Sequence, residues 1–264
     1  MIRSMTYVKK HFLNYGFSPY SAAYVVTNEN LRNALDCIPK DAKKALTVAA
    51  SGDHPMFTAL RGVKNVDTFD ISFNARLIMD IKTNALSLLE HKEYCQLLKD
   101  IHCSKDIMSV KNIPQIIQKL NPFEQKYITE MHKYYLFSRE STINPFSLPT
   151  ATEFSQMQQI INKPFKFIWS DIKSLHKQLK KSYDFIHLSN IFDYLSIPES
   201  VNILHKLMKR TNPNGVICFT ELVSTTPDKM RQYCEQLKEI MNTDTQSWDF
   251  HRKSLCLYTL HRVK

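Results

Sequence analysis

The chain has 264 residues, 43% of them hydrophobic, and a formal net charge of +10 at pH 7. A chain of this length and apolar content can bury a substantial core, which excludes an extended, disordered protein. Its apolar runs are far shorter than the roughly 20 residues of a membrane-spanning helix. Residues 1–10 also lack the apolar stretch of a secretory signal, so we predict a cytoplasmic protein without a transmembrane segment.

Cysteine and histidine spacing gives no sign of a metal centre. The six cysteines are widely separated without a Cys-x-x-Cys pair, and the ten histidines do not recur at the spacing of metal ligands. We therefore predict reduced thiols and no bound metal.

The basic charge of the chain would suit a polyanionic partner. No RNA-binding motif accompanies this charge, so nucleic acid stays a possible partner without support from a motif. The sequence does not indicate the oligomeric state.

Residues 1–43 are predicted to form N-terminal helices. Val8, Phe12 and Leu13 recur at helical spacing, and a second helix is predicted over 22–35. The Thr-Asn-Glu-Asn run that starts at Thr27 is typical of a helix start. Its Asn28 and Glu29 are interpreted either as part of this cap or as groups that close a ligand site.

Two strand–turn–helix units follow. An apolar strand is predicted over 44–50, and it breaks at Ser51-Gly52-Asp53 before a helix over 55–60 that has proline in its first turn. A second strand over 65–69 ends in Asp70, and a long helix begins at Ser72 or Asn74. Two such units in close succession predict a parallel sheet.

The rest of the chain completes one domain. Residues 91–162 show helical patterns, including 113–120 and 123–137, and no strand, so we predict a helical insert over the carboxyl edge of the sheet. Strands and helices then alternate, and the chain ends in a predicted antiparallel hairpin: strands over 165–169, 183–188, 215–221, 247–251 and 255–261, with helices near 173–180 and 198–209. Residues 1–264 are therefore predicted to form a single α/β, Rossmann-like domain with a mostly parallel sheet.

The ends of the first two strands predict a nucleotide-type cofactor. Gly52 would let the backbone approach the ligand closely, and the Asp70 carboxylate would accept hydrogen bonds from both ribose hydroxyls. The usual Gly-x-Gly-x-x-Gly run is absent, which argues against NAD and favours a cofactor without phosphates, S-adenosylmethionine. The residues assigned to this cofactor here are Ala50, Ser51, Gly52, Asp53, Asp70, Ile71 and Asn74.

Two later strand ends extend the predicted site. In a methyltransferase-like fold an acidic residue after the third strand meets the adenine amino group, so we assign Asp171 and Ile172 to the cofactor; a plain helix cap is the alternative. Ser189 and Asn190 follow the most central strand and are assigned to the cofactor as well. Three candidates for deprotonating an acceptor lie in these loops: Asp193, Tyr194 and His54. For Tyr194 packing is the alternative, and for His54 a turn role.

These segments resemble the 3-amino-3-carboxypropyl transferases of betaine-lipid synthesis, members of the S-adenosylmethionine-dependent transferase superfamily. The likeness covers roughly residues 44–90 and 165–222, and it is carried by Ala49-Ala50-Ser51-Gly52-Asp53, by Val66 to Asp70 leading into Asn74, and by Leu188-Ser189-Asn190-Ile191-Phe192-Asp193-Tyr194-Leu195. The chain differs from typical members of the family in two ways. It is shorter, and after the acidic residue it has Phe-Asn where the family often shows Asn-Pro. The resemblance implies a class I fold and transfer of the aminocarboxypropyl group to a hydroxyl or amine of a small-molecule or lipid acceptor, which leaves methylthioadenosine.

Two other functions remain open at this point. A methyltransferase acting on a small molecule or on nucleic acid would leave S-adenosylhomocysteine instead. A binding protein would keep the fold without catalysis. In either transfer the protein mainly aligns a nucleophile with the sulfonium and excludes water, and no sequence feature indicates which carbon faces the acceptor.

Overall fold

The computed structural model describes residues 20–133, 136–138, 143, 147–222, 245–249 and 255–261. The helix predicted around Val8, Phe12 and Leu13 lies outside these residues. The strands are β1 Ala23–Tyr24, β2 Lys44–Val48, β3 Asn65–Asp70, β4 Phe137–Ser138, β5 Lys166–Trp169, β6 Tyr183–His187, β7 Thr211–Leu222, β8 Thr245–Asp249 and β9 Leu255–His261. The α-helices are α1 Leu31–Ala34, α2 Asp53–Leu60, α3 Phe73–Leu88, α4 His91–Cys103, α5 Ile113–Ile117, α6 Pro122–Met131, α7 Ala151–Ile160, α8 Ile172–Gln178 and α9 Ile197–Met208.

In the described part of the chain, seven strands form one sheet in the order β5-β3-β2-β6-β7-β9-β8. The strands from β5 to β7 pair in parallel, whereas β9 runs antiparallel to β7 and to β8. The predicted Rossmann-like α/β class, with a mostly parallel sheet and a C-terminal antiparallel hairpin, is confirmed. After β2 the chain adds β3 and β5 on one side of the sheet, and after β6 it adds the later strands on the other side. This reversal of the strand order opens a crevice at the carboxyl ends of β2 and β6.

Alternating apolar residues place one core on each face of the sheet, as the two-residue period of a strand requires. Leu46 and Ile186 belong to the core beneath α8 and α9. Ala45 and Phe185 belong to the opposite core, which also includes α2, α3 and the insert. No helix within the described ranges has both the length and the apolarity to cross a bilayer.

The first described segment corrects the predicted helix over 22–35. Residues 23–24 form a short strand paired with β4, and the α-helix covers only 31–34. The backbone groups that a helix would use are engaged elsewhere, because the Tyr20 and Ser21 carbonyls accept hydrogen bonds from Asn74 and the Thr27 amide donates to Asp53. These tertiary contacts override the weak local preference for a helix.

The insert is mainly helical, as predicted, but the predicted helix over 123–137 ends at Met131, and Phe137 lies in β4. Its helices pack on α2 and α3 rather than over the carboxyl edge of the sheet: α7 contacts both of these helices, and α5 contacts α3. None of the described residues of the insert lines the cavity at that edge. The insert contacts the surroundings of the cavity in two places: Tyr127 donates a hydrogen bond of 2.9 Å to Asn74 at the start of α3, and β4 pairs with β1, which lines the cavity.

Candidate cofactor site

A cavity of about 330 Å³ lies at the carboxyl ends of β2, β3, β5 and β6, where the strand order reverses. This is the place where open α/β sheets bind ligands, and the volume suits a small molecule. Its wall comes from five parts of the chain: residues 21–24 and 27–29, the turn after β2 with His54, residues 69–72 and 75, residues 170–173, and residues 189–191 with 194–195.

The backbone takes a left-handed conformation at two non-glycine residues of the cavity wall. Ala50, after β2, has φ +45°, and Ser189, after β6, has φ +54°. Neighbouring strands hold both residues, because the Ala50 amide donates to the Asp70 carboxylate and the Ser189 carbonyl accepts from Thr220. Such strain costs on the order of 1–3 kcal/mol at each residue and is concentrated at ligand sites.

Asp70 links two loops of the cavity wall. Its Oδ2 accepts a hydrogen bond of 3.0 Å from the Ala50 amide, and its Oδ1 accepts one of 2.9 Å from the Ser72 amide. Burial raises the pKa of Asp70 to about 6, against the opposing effect of these amides. The carboxylate is therefore mostly ionised at pH 7, and each of its oxygens keeps a lone pair for a further donor.

Glu29 places a second carboxylate in the wall. The side chain is buried, and its Oε1 accepts a hydrogen bond from the Ser189 hydroxyl and lies 3.6 Å from Nε2 of His54. Its Oε2 is also buried and has no hydrogen-bond partner among the residues that the structure describes. Burial alone would raise the pKa of Glu29, but the contacts with His54, His187 and Ser189 lower it to about 2. The sequence offered Glu29 only as part of a helix cap or as a group closing the site.

His54 lies between Glu29 and a second buried histidine that the sequence analysis did not select. The rings of His54 and His187 stack with their centroids 5.1 Å apart. Burial and the neighbouring His54 lower the pKa of His187 to about 3, so His187 is neutral at physiological pH. In the described part of the chain no group of three His, Cys, Asp or Glu side chains is arranged to hold a metal ion.

Ten of the fourteen residues predicted for the site line the cavity: Ala50, Ser51, His54, Asp70, Ile71, Asp171, Ile172, Ser189, Asn190 and Tyr194. Asp171 lines the cavity, and its Oδ1 accepts a hydrogen bond of 2.7 Å from the Lys173 amide, so the alternative of a helix cap is confirmed and the contact with a cofactor stays a prediction. Tyr194 is 54% exposed at the rim. Burial and the neighbouring Asp193 raise the pKa of Tyr194, so its hydroxyl is protonated at neutral pH.

The other four predicted residues lie outside the cavity wall: Gly52, Asp53, Asn74 and Asp193. Asp53 is buried, and its carboxylate pairs with Lys82 at 2.6 Å and accepts hydrogen bonds from the Thr27 amide and the Ser51 hydroxyl. It supports the wall from behind rather than forming part of it.

Asn74 also supports the wall from outside. Its side-chain amide donates to the carbonyls of Tyr20 and Ser21, and its oxygen accepts from the Tyr127 hydroxyl. The neighbouring Ser72 hydroxyl donates to Ser21 as well, at 2.6 Å. The start of α3 therefore holds the N-terminal segment in place against the cavity.

The cavity is acidic although the chain is basic. Glu29 contributes a buried carboxylate and Asp70 a half-buried one, and Asp171 lies at the exposed end. The ammonium of Lys173, a lining residue, bonds to Glu199 at 2.8 Å. The arrangement favours a ligand that carries positive charge and hydrogen-bond donors.

Comparison with known proteins finds no matching family model and no matching curated protein. Solved structures are similar over most of the chain. The N-methyltransferase NodS from Bradyrhizobium japonicum is 10% identical, with 89% of this chain and 93% of that chain covered and a TM-score of 0.42. The ribosomal protein L11 methylase from Lactobacillus delbrueckii subsp. bulgaricus is 10% identical, with 89% and 77% covered and a TM-score of 0.46.

Proposed function

We propose that the protein is an S-adenosylmethionine-dependent transferase. The observation that carries this proposal is the pair of carboxylates, Asp70 and Glu29, in a cavity at the strand-order reversal of a basic chain. S-adenosylmethionine has a sulfonium and an ammonium cation and no phosphate, so an acidic cavity without a glycine-rich phosphate turn favours it over a dinucleotide. Bound there, the compound would supply an alkyl carbon beside positively charged sulfur, which a nucleophile attacks.

The residues of the cavity fit the parts of this cofactor. Asp70 has lone pairs left to accept hydrogen bonds from the ribose hydroxyls. Asp171 and Ile172 follow β5, which neighbours β3, and are assigned to the adenine. The largely apolar wall would limit the access of water to the reacting carbon, which favours the bound acceptor as the nucleophile.

Proton removal from the acceptor is assigned to His54, which lines the cavity; Asp193 does not line it, and Tyr194 lines it with a hydroxyl whose raised pKa keeps it protonated at neutral pH. The Glu29 carboxylate lies 3.6 Å from the His54 ring and would stabilise the imidazolium that forms when His54 takes a proton. Tyr194 lies at the exposed rim, where an acceptor would meet it.

The transferred group is proposed to be aminocarboxypropyl, on the strength of the sequence resemblance, with methyl as the alternative. The two reactions leave different products. Incubation of the protein with S-adenosylmethionine and a lipid extract, or with a panel of small hydroxyl and amine acceptors, is expected to release methylthioadenosine, measured by liquid chromatography and mass spectrometry. Protein-free incubations correct for spontaneous breakdown of the cofactor. Release of S-adenosylhomocysteine would instead identify a methyltransferase, and binding without either product would identify a non-catalytic protein.

Cofactor binding is expected to weaken as the pH falls through about 6. Because burial raises the pKa of Asp70 to about 6, this carboxylate is mostly ionised at pH 7.5 and mostly protonated at pH 5. Only the ionised form is a strong acceptor for the ribose hydroxyls, whereas Glu29, whose pKa is about 2, stays ionised throughout. The Kd for S-adenosylhomocysteine, measured by calorimetry, should rise about tenfold from pH 7.5 to pH 5.

The Asp70→Asn variant is the control for this pH dependence. It should bind about 10- to 100-fold more weakly at pH 7.5, the effect of losing charged hydrogen bonds, and its affinity should no longer change between pH 5 and 7.5. A variant that keeps the slope of the wild-type protein would assign the titration to another group.

A further inference from the structure

We propose that Glu29 is the residue that binds the α-ammonium group of S-adenosylmethionine, so that the carboxylate recognises the amino-acid end of the cofactor. The inference rests on the proposed function and adds a specific subsite to it. Glu29 lies in the segment before α1, about forty residues from any other acid that lines the cavity, and sequence spacing does not connect it with the strand ends.

Only one of the two oxygens of the Glu29 carboxylate accepts a hydrogen bond within the described residues. Oε1 accepts from the Ser189 hydroxyl, whereas Oε2 is buried and finds no donor in the described part of the chain. A buried acceptor without a donor costs about 1–3 kcal/mol, and more when it is charged. The structure therefore keeps a buried, unpaired anionic oxygen on a side chain that lines the cavity, and a ligand ammonium is the donor proposed for it.

The described cations of the protein do not supply that donor. The ring of His54 lies 3.6 Å from Oε1 and makes no hydrogen bond to either oxygen. The buried ammonium of Lys82 is held by Asp53 at 2.6 Å, and that of Lys173 by Glu199 at 2.8 Å. A ligand ammonium, with three N–H donors and a positive charge, matches what the Oε2 atom lacks.

The separation of Glu29 and Asp70 matches the distance between the amino group and the ribose of one S-adenosylmethionine molecule. Asp70 ends β3, and Glu29 is bonded to Ser189 just after β6, with β2 between these strands. Two strand spacings amount to roughly 10 Å. In S-adenosylmethionine five singly bonded atoms, from C5′ through sulfur to Cα, join the ribose ring to the amino nitrogen. One molecule can therefore extend across the end of β2 from one carboxylate to the other.

Calorimetry with three unreactive ligands tests this assignment. They are S-adenosylhomocysteine, its analogue with hydrogen in place of the amino group, and methylthioadenosine, which lacks the amino-acid end. The wild-type protein is expected to bind S-adenosylhomocysteine at least tenfold more tightly than the deaminated analogue. In Glu29→Gln, affinity for S-adenosylhomocysteine should fall about 10- to 100-fold, while affinities for the other two ligands stay within about twofold of wild type.

Asp70→Asn is the matched variant, since it should weaken all three ligands alike. Equal wild-type affinity for S-adenosylhomocysteine and its deaminated analogue would overturn the assignment of Glu29 without using any variant. Equal losses for all three ligands in Glu29→Gln would overturn it too, as would unchanged affinities, and in each case the proposed function would stand. Failure of the wild-type protein to bind any of the three ligands would remove the proposed function itself, and the assignment with it.

Discussion

Replacing Lys82 with methionine is expected to lower the free energy of unfolding by about 3–5 kcal/mol, the usual effect of removing one partner from a buried ion pair. Lys82 is fully buried in α3, and its ammonium lies 2.6 Å from the carboxylate of Asp53. Methionine is close to lysine in length, so the substitution removes the charge with little loss of packing. The Asp53 carboxylate would then stay buried without its counter-charge. Urea unfolding followed by circular dichroism measures the change.

A double variant separates charge from packing. Asp53→Asn in the Lys82→Met background leaves a neutral pair, and the asparagine oxygen can still accept from the Thr27 amide or the Ser51 hydroxyl. The double variant should recover about 2 kcal/mol relative to Lys82→Met alone, because it removes the unpaired charge. Equal stability of the two variants would show that the ion pair is not what holds this part of the protein. Since Asp53 joins the Thr27 segment to the turn after β2, cofactor affinity should follow the same order.

The elements that sequence analysis predicted well are those whose signals are local. Strand β2 and the strand that ends in Asp70 were predicted because apolar runs, turn residues and capping residues follow one another within a few positions. The Ser72 hydroxyl, for example, caps α3 by accepting from the Asn74 amide, as the predicted helix start implied. Asp70 was found for the same reason, since an acid at the end of a parallel strand faces the ligand edge whatever the rest of the chain does.

The features that sequence analysis left open or missed depend on contacts between distant residues. Glu29 and Ser189 are 160 positions apart and meet through one hydrogen bond. His187 follows the alternation of a buried strand, so its position alone predicts a core residue and not a neighbour of His54. Asn74 has the residue type and place of a ligand contact, yet the hydrogen bonds of its side chain described above go to the N-terminal segment and to Tyr127. Local patterns thus identify the cavity edge but not which polar groups remain available to a ligand.

Gly52→Ala is expected to lower the free energy of unfolding by about 2–5 kcal/mol. The left-handed backbone at Gly52, with φ +82°, would cost an alanine about 1–2 kcal/mol. A Cβ atom there would also lie 2.8 Å from the Cα of Met79 in α3, and relieving that overlap costs about 1–3 kcal/mol more. Urea or thermal unfolding provides the measurement.

Gly62→Ala separates the two contributions, because Gly62 has a similar φ of +92° but none of the described residues places a heavy atom within 4 Å of an added Cβ. It should lose only about 1–2 kcal/mol, so the difference between the variants measures the contact of Gly52 with α3. The comparison also tests why this glycine follows β2. The sequence predicted that Gly52 lets the backbone approach the cofactor, yet it lies outside the cavity wall and against Met79. We therefore expect folded Gly52→Ala to lose much more stability than cofactor affinity, whereas a large loss of affinity at near-normal stability would restore the cofactor role of Gly52.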